Sequence, residues 1–253
     1  MKLVRFLAAR LWLLALLVVC WQILSACRVL DPLFFPPPSR VAVTVEAMLA
    51  SGELGRGLYA TLTRTGLGLL AGVVWGGLVS ILLCLSPRLR TAVQPLISAL
   101  YSTPRLTMLP MVMLVFGFNE ASRLALVALS AGLVVVIQIS DAVRNVSRDY
   151  VDLAKNYGAS RAVIVRKVYL PACLPQIFTA LRLCTGRALV LTISIEMMSS
   201  NNGIGSIIWS SWQTFATEKL YASVMVAALL GLLSGPVFHW LERRLVPWRN
   251  VPV

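Results

Sequence analysis

Apolar runs close to the length of a membrane span recur along this chain of 253 residues, and no other feature constrains its fold as strongly. An α-helix rises about 1.5 Å per residue, so some ~20 apolar residues cross the ~30 Å hydrocarbon core of a bilayer. Six spans are expected, at about 11–27, 61–85, 92–116, 124–143, 176–198 and 220–241. Only 13% of the residues are charged and 58% are apolar, against roughly 25% charged in soluble domains. The expectation is an all-α, polytopic membrane protein, with a single transmembrane domain over 1–253 and no soluble domain appended.

The net charge of +13 is distributed unevenly between the two sides. With the N-terminus inside, Lys2, Arg5, Arg10, Arg88, Arg90, Arg144, Arg148, Lys155, Arg161, Arg166, Lys167, Arg243, Arg244 and Arg249 face the cytoplasm. Outside or at the outer boundary fall Arg28, Arg40, Arg56, Arg64, Arg123 and Lys219. This is the positive-inside bias of a multi-pass membrane protein, with both termini cytoplasmic. A nucleic-acid partner would need a basic soluble face, so none is expected. The cysteines Cys20, Cys27, Cys84, Cys173 and Cys184 show no Cys-x-x-Cys spacing, and the lone His239 has no partner pattern. No metal or redox centre is expected, and the cysteines read as small packing residues.

After the first span, Phe34-Phe35-Pro36-Pro37-Pro38 predicts an extended connector. Ser39 reads as an N-cap, Val41, Val45, Met48 and Leu49 recur at helical spacing, and Gly52 stops the run. An external amphipathic helix at the membrane surface is therefore expected at 39–52. In the second span Gly68, Gly72 and Gly76 share one face, and Gly231 and Gly235 repeat the spacing in the last. Small residues four apart let helix backbones approach closely in lipid, as packing within one subunit or at an interface between subunits. Pro95, Pro104 and Pro110 puncture the third span. Irregular backbone at that depth is tolerated only where protein or a water-filled cavity satisfies it. After the fifth span, Asn201-Asn202-Gly203 signals a turn. Ile204, Ile207, Ile208, Trp212 and Phe215 then outline an amphipathic helix, with Trp209 and Trp212 suited to the interface.

Residues 150–175, YVDLAKNYGASRAVIVRKVYLPACLP, lie between two spans on the basic side. A helix at about 149–157 is expected to end at Gly158, which takes up the left-handed C-cap conformation readily. Ser160 would cap the next helix, which Pro171 and Pro175 end or kink. Two short helices about a tight turn form a rigid knob able to dock in a groove. The segment resembles the cytoplasmic loop of ABC importer permeases, whose pattern runs E-A-A, three residues, Gly, nine residues, Ile-x-Leu-Pro. Asp152-Leu153-Ala154 stand for E-A-A, Gly158 for the glycine, Val168 for the isoleucine, and Leu170-Pro171 close the frame. Asp152, Leu153 and Val168 depart in residue type, while the spacing is kept.

Other stretches are similar to the same family, especially its sulfonate, taurine and nitrate group. They are Trp21-Gln22-Ile23-Leu24, the run LPMVMLVFGFNEASR from Leu109, Glu196-Met197 with Gly203-Ile204-Gly205, and Leu241-Glu242-Arg243-Arg244. The resemblance implies the type I ABC importer permease fold, in which the coupling loop, about 149–171, seats on an ATPase. Asp152, Ala154, Gly158, Leu170 and Pro171 are the coupling residues it implies. It further implies two ATPase copies, a second permease subunit forming a homodimer, an extracytoplasmic solute-binding protein and the bacterial inner membrane. The implied cargo is a sulfonate, taurine, nitrate or similar small anion. Relatives that carry pyrimidine or riboflavin-like compounds leave that alternative open.

No Gly-x-x-x-x-Gly-Lys-Ser/Thr phosphate loop occurs in the chain, nor a catalytic triad candidate or a carboxylate pair in a plausible polar pocket. It is expected to be no enzyme and to bind no cofactor, ATP being used by the partner ATPase. An ion-coupled secondary transporter, the alternative class, needs intramembrane carboxylates, yet only Glu196 lies within a span and Asp141 near an end. Arg182, ~9 Å into its helix, is shallow enough to snorkel to the surface. Arg187, at ~16 Å, and Arg105 in the broken span are deep. A charge there costs roughly 2.5–3.5 kcal/mol, so it should face protein or water. Arg105 and Arg187 are candidates for lining the translocation pathway, with Glu196 near its outer mouth. Buried ion pairs that hold helices in register are equally compatible. Glu196 stands nine residues from Arg187, on the opposite helix face, so pairing needs another helix or subunit.

At the N-terminus, Lys2, Arg5 and Arg10 before 11–27 look like a signal peptide, and Leu24-Ser25-Ala26-Cys27 resembles the lipobox of bacterial lipoproteins. The similarity of Trp21-Gln22-Ile23-Leu24 to the first permease helix favours an uncleaved first span.

Overall fold

The computed structural model describes residues 2–245, and every element among them is helical. Arg249, and the side chains at 2–11, 161 and 237–243 with His239 among them, lie outside the described residues. The helices are α1 (Lys2–Ala26), α2 (Pro38–Ala50), α3 (Glu53–Leu85), α4 (Pro87–Ser102), α5 (Leu109–Phe116) and α6 (Glu120–Arg144), followed by α7 (Arg148–Asn156), α8 (Arg161–Ile164), α9 (Leu170–Ser199), α10 (Ile204–Gln213) and α11 (Thr217–Leu245). A 3-10 turn, Leu106–Met108, precedes α5, and a π-helical turn, Val165–Tyr169, precedes α9.

α3, α6, the continuous stretch Ala162–Ser199 and the Thr217–Pro236 part of α11 are long and apolar enough to cross a bilayer. α4 and α5 qualify together as a span bent by 97°, and the first apolar run is the 25-residue α1. The third span breaks at only one of its three prolines. α4 runs through Pro95, and α5 takes Pro110 in its first turn, where an N–H would have no helical partner. Thr103, in the extended conformation that a following proline imposes, ends α4 ahead of Pro104.

The chain divides into two compact units, one comprising Thr61–Ile195 and Leu229–Val253, the other Met1–Ala60 and Glu196–Ala228. In the first, α6 supplies residues to three buried clusters among the described residues. Asn119 caps it, its Oδ1 accepting from the N–H groups of Ala121 at 2.8 Å and Ser122 at 3.3 Å. Glu120 in the first turn and Arg144 in the last suit the helix dipole. Leu126 and Val127 join Leu109 and Met113 of α5 and Ala188, Leu191 and Ile195 of α9. Leu133 and Val136 pack with Leu83 of α3 and Ile97 of α4.

Gly68, Gly72 and Gly76 bring the backbone of α3 onto α6, as expected of small residues in lipid. A Cβ on Gly76 would sit 2.6 Å from the carbonyl oxygen of Gly132. Gly132 in turn lies against the Trp75 indole, whose Nε1–H donates to Ala128 O at 2.9 Å. Among the described residues nothing lies within 4 Å of a Cβ built on Gly231 or Gly235, so within this part of the chain they form no such seam.

In the other unit, α2 begins one residue before the expected start. Pro38 occupies its first turn, Pro37 is the extended N-cap, and no side chain caps it. Ser39 is instead held by Gln22, whose Oε1 accepts from the Ser39 N–H at 3.1 Å and whose Nε2 donates to the hydroxyl at 3.3 Å. Val41 and Met48 are buried, Leu49 faces out, and Gly52 at φ +71° follows the helix end. Lys219 pairs with Glu53 at 2.9 Å, and Trp21 meets Tyr221 with ring centroids 5.3 Å apart. On α10, Ile204 and Ile208 are buried, while Trp209 and Trp212 are exposed. Phe215, expected to belong to this helix, lies beyond it, because α10 stops at Gln213 and Phe215, exposed, enters a turn at φ +55°.

Candidate functional site

Between α6 and α9 the chain forms the knob that its sequence outlines. Ser147 opens α7, its Oγ accepting from the Asp149 N–H at 3.2 Å. The helix closes in a Schellman arrangement around Gly158, which sits at φ +73°. The Gly158 N–H donates to Lys155 O at 2.8 Å and the Ala159 N–H to Ala154 O at 3.0 Å. Ala154 therefore anchors the turn through its carbonyl, and Gly158 supplies the left-handed residue. Nothing lies within 4 Å of a Cβ on Gly158, so its backbone angle rather than space requires glycine. Asp152 pairs locally with Lys155 at 2.9 Å, both exposed. Ser160 opens α8, its Oγ accepting from the Val163 N–H at 3.4 Å. α7 packs against α8 and the π-helical turn.

Of the two effects expected of Pro171 and Pro175, ending or kinking the second helix of the knob, the first does not occur. α8, the π-helical turn and α9 run on as one stretch to Ser199. The π winding, in which the Leu170 N–H donates to Val165 O, comes immediately before Pro171. A proline ring clashes with the carbonyl four residues back, and wider winding relieves that clash. Leu170 and Pro171 thus stand where the knob becomes the transmembrane helix.

One face of α7 is apolar and uncovered. Tyr150, Leu153 and Tyr157, spaced to share a helix side, are 64%, 55% and 84% exposed. The comparison with E-A-A marks Leu153 only as a departure in residue type and does not involve either tyrosine. The exposed stripe was visible in their spacing.

Deeper in the same unit, Arg105 and Arg187 converge on Tyr101. Arg187 Nη1 donates to the Tyr101 hydroxyl at 2.9 Å, and Arg105 Cζ lies 4.7 Å from the centre of the ring. Tyr101 was missed in the sequence, although it stands four residues before Arg105. Arg182 is exposed, as snorkelling requires. A second arginine group was also missed. Arg64, at 6% exposure, forks onto Glu120, with Nε to Oε2 and Nη2 to Oε1 both 2.7 Å. Arg123 Nη1 joins Glu120 Oε1 at 2.7 Å. Arg64 is a buried, bidentate ion-pair residue rather than a loose boundary charge.

Glu196, in the other unit, has 0% exposure, and its Oε2 accepts from the Gly205 N–H at 3.0 Å. A Cβ on Gly203, which sits at φ +114°, would run into its carboxylate. Glu196 therefore caps the N-terminus of α10, where the helix dipole favours negative charge.

Residues 65–251 match the family described as binding-protein-dependent transport system inner membrane component. TauC of Escherichia coli (strain K12), a taurine transport system permease protein, is 31% identical over 242 residues, covering 94% of this chain and 88% of TauC. SsuC of Bacillus subtilis (strain 168), named for aliphatic sulfonates transport, is 32% identical over 236 residues, covering 93% of this chain and 86% of SsuC. In fold, the chain is similar to the MetNI methionine ABC transporter, with a TM-score of 0.69 at 18% identity, covering 77% of this chain and 97% of that one. The chain belongs to the binding-protein-dependent transport system inner membrane component family, the membrane permeases of ABC importers.

Proposed function

We propose that this chain is the pathway-forming subunit of an ATP-driven importer of a small anion, of the sulfonate, taurine or nitrate kind. The names of its relatives support that cargo class. Two copies of the chain, acting as single-domain permeases, would enclose the pathway. Two ATPase subunits inside and a solute-binding protein outside would complete the machine, and the chain itself would hydrolyse nothing and bind no cofactor. The positive-inside rule supports cytoplasmic termini and a cytoplasmic α7–α8 knob in a bacterial inner membrane.

The observation that carries this reading is the knob itself. Its glycine-locked turn, the uncovered Tyr150, Leu153 and Tyr157 face, and its continuity with α9 make a rigid lever. A partner that grips α7 moves a transmembrane helix. Asp152, Ala154, Gly158, Leu170 and Pro171 are the residues we assign to that coupling, and Arg105 and Arg187 those we assign to the pathway. ATP binding would draw two such knobs together and turn the spans outward, and hydrolysis would reset them.

The test is co-purification of the ATPase with the tagged chain from membranes of its own host. Gly158→Trp introduces a bulky side chain at a φ that only glycine tolerates well. It is expected to lower ATPase recovery about tenfold, the equivalent of roughly 1.4 kcal/mol, with insertion unchanged. Undiminished recovery would refute the docking role.

A further inference from the structure

We infer that Tyr101, Arg105 and Arg187 form one binding element for a small oxyanion, with Tyr101 as the residue that positions both guanidiniums. The inference rests on reading the chain as an importer's pathway and identifies the part that holds the cargo's charge. Tyr101 lies in the last turn of α4, Arg105 in the break that follows and Arg187 on α9. The Tyr101 hydroxyl accepts from Arg187 and its ring carries Arg105, so one side chain draws two like charges together. Among the described residues no carboxylate pairs with either guanidinium.

The Arg64 cluster supplies a contrast within the same protein. There a buried arginine has its counter-ion, with both donors of the fork on Glu120. By contrast, Arg105 Nε and Nη2 are enclosed and make no hydrogen bond within the chain. Enclosed charged donors without an acceptor, as on Arg105, are strongly unfavourable, and Arg187, though exposed, adds a second positive charge beside them. An anion with two or more oxygens meets both needs, because the edge of a guanidinium matches a pair of oxygens. Sulfonate, nitrate and carboxylate groups share that chemistry, whereas an uncharged solute leaves both cations unbalanced.

The experiment uses the full chain in lipid nanodiscs, with phenylglyoxal modification of arginines followed by peptide mass spectrometry. Methanesulfonate is the probe, and dimethyl sulfone and uracil are uncharged controls. Methanesulfonate is expected to slow modification of Arg105 and Arg187 about tenfold without protecting Arg182, which is exposed like Arg187 but is not bonded to Tyr101, and the controls should protect neither. Tyr101→Phe keeps the ring but not the hydroxyl. It should speed the unprotected modification of Arg187 and weaken its protection about tenfold. Equal modification with and without methanesulfonate, or equal protection by dimethyl sulfone or uracil, overturns the site. Undiminished protection in Tyr101→Phe overturns the positioning role. Because ATPase co-purification is read separately, its persistence without protection removes the anion site alone, and its absence removes the importer reading.

Discussion

At the residue scale, an enclosed carboxylate such as Glu196 is costly unless charge or hydrogen bonds compensate it. Here the Gly205 N–H and the N-terminus of α10 supply compensation, and Gly203 leaves room for it. Glu196→Ala should destabilise the chain by about 1–3 kcal/mol through the orphaned donor. Glu196→Gln, which keeps an acceptor oxygen, should lose less. Gly203→Ala combines a collision with the carboxylate and an unfavourable backbone angle, and should cost about 1–3 kcal/mol from the angle alone. Thermal unfolding of the three variants in detergent checks the order, and a Glu196→Ala protein as stable as Glu196→Gln would contradict the capping role. This function was hidden in the sequence. Helical period puts Glu196 and Arg187 on opposite faces, but it cannot reveal that the chain turns back after Ser199 to bring Gly205 to the carboxylate.

Among the elements, those written in local sequence were legible. Gly158 with Ser160 foretold the turn of the knob, and Gly68, Gly72 and Gly76 foretold a close helix seam. Gly231 and Gly235 carry the same spacing without a seam among the described residues, because spacing specifies a smooth face and not the helix that covers it. The prolines were the least legible. Pro104 breaks its span, whereas Pro95 and Pro175 lie inside helices and Pro171 follows a π-helical turn. Whether a proline breaks or bends a helix depends on how neighbouring winding and packing relieve its ring. The contrast between the glycines is testable. Gly72→Leu drives side-chain atoms into Ala131 and the Ala128 carbonyl and should cost about 1–3 kcal/mol or more. Gly231→Leu meets open space in the chain and should leave it monodisperse. Size-exclusion profiles of the two detergent-solubilised variants decide this, and equal behaviour would contradict the assigned seam.

For the whole molecule, apolar runs, charge asymmetry and one spaced loop sufficed for fold class and family, since bilayer thickness and the positive-inside bias act directly on sequence. What the sequence left dark is how distant residues meet, as with Tyr101 beneath Arg105 and beside Arg187, or Arg64 on Glu120. The central claim is that transport is powered through the knob between α6 and α9. Its most direct test is methanesulfonate uptake into proteoliposomes holding the complete complex and its binding protein, with ATP supplied at the ATPase face. Uptake should require ATP, should ignore imposed proton and sodium gradients, and should vanish in Gly158→Trp complexes whose permease is inserted as in the wild type. Uptake that follows an ion gradient without ATP, or that survives Gly158→Trp, would contradict the account.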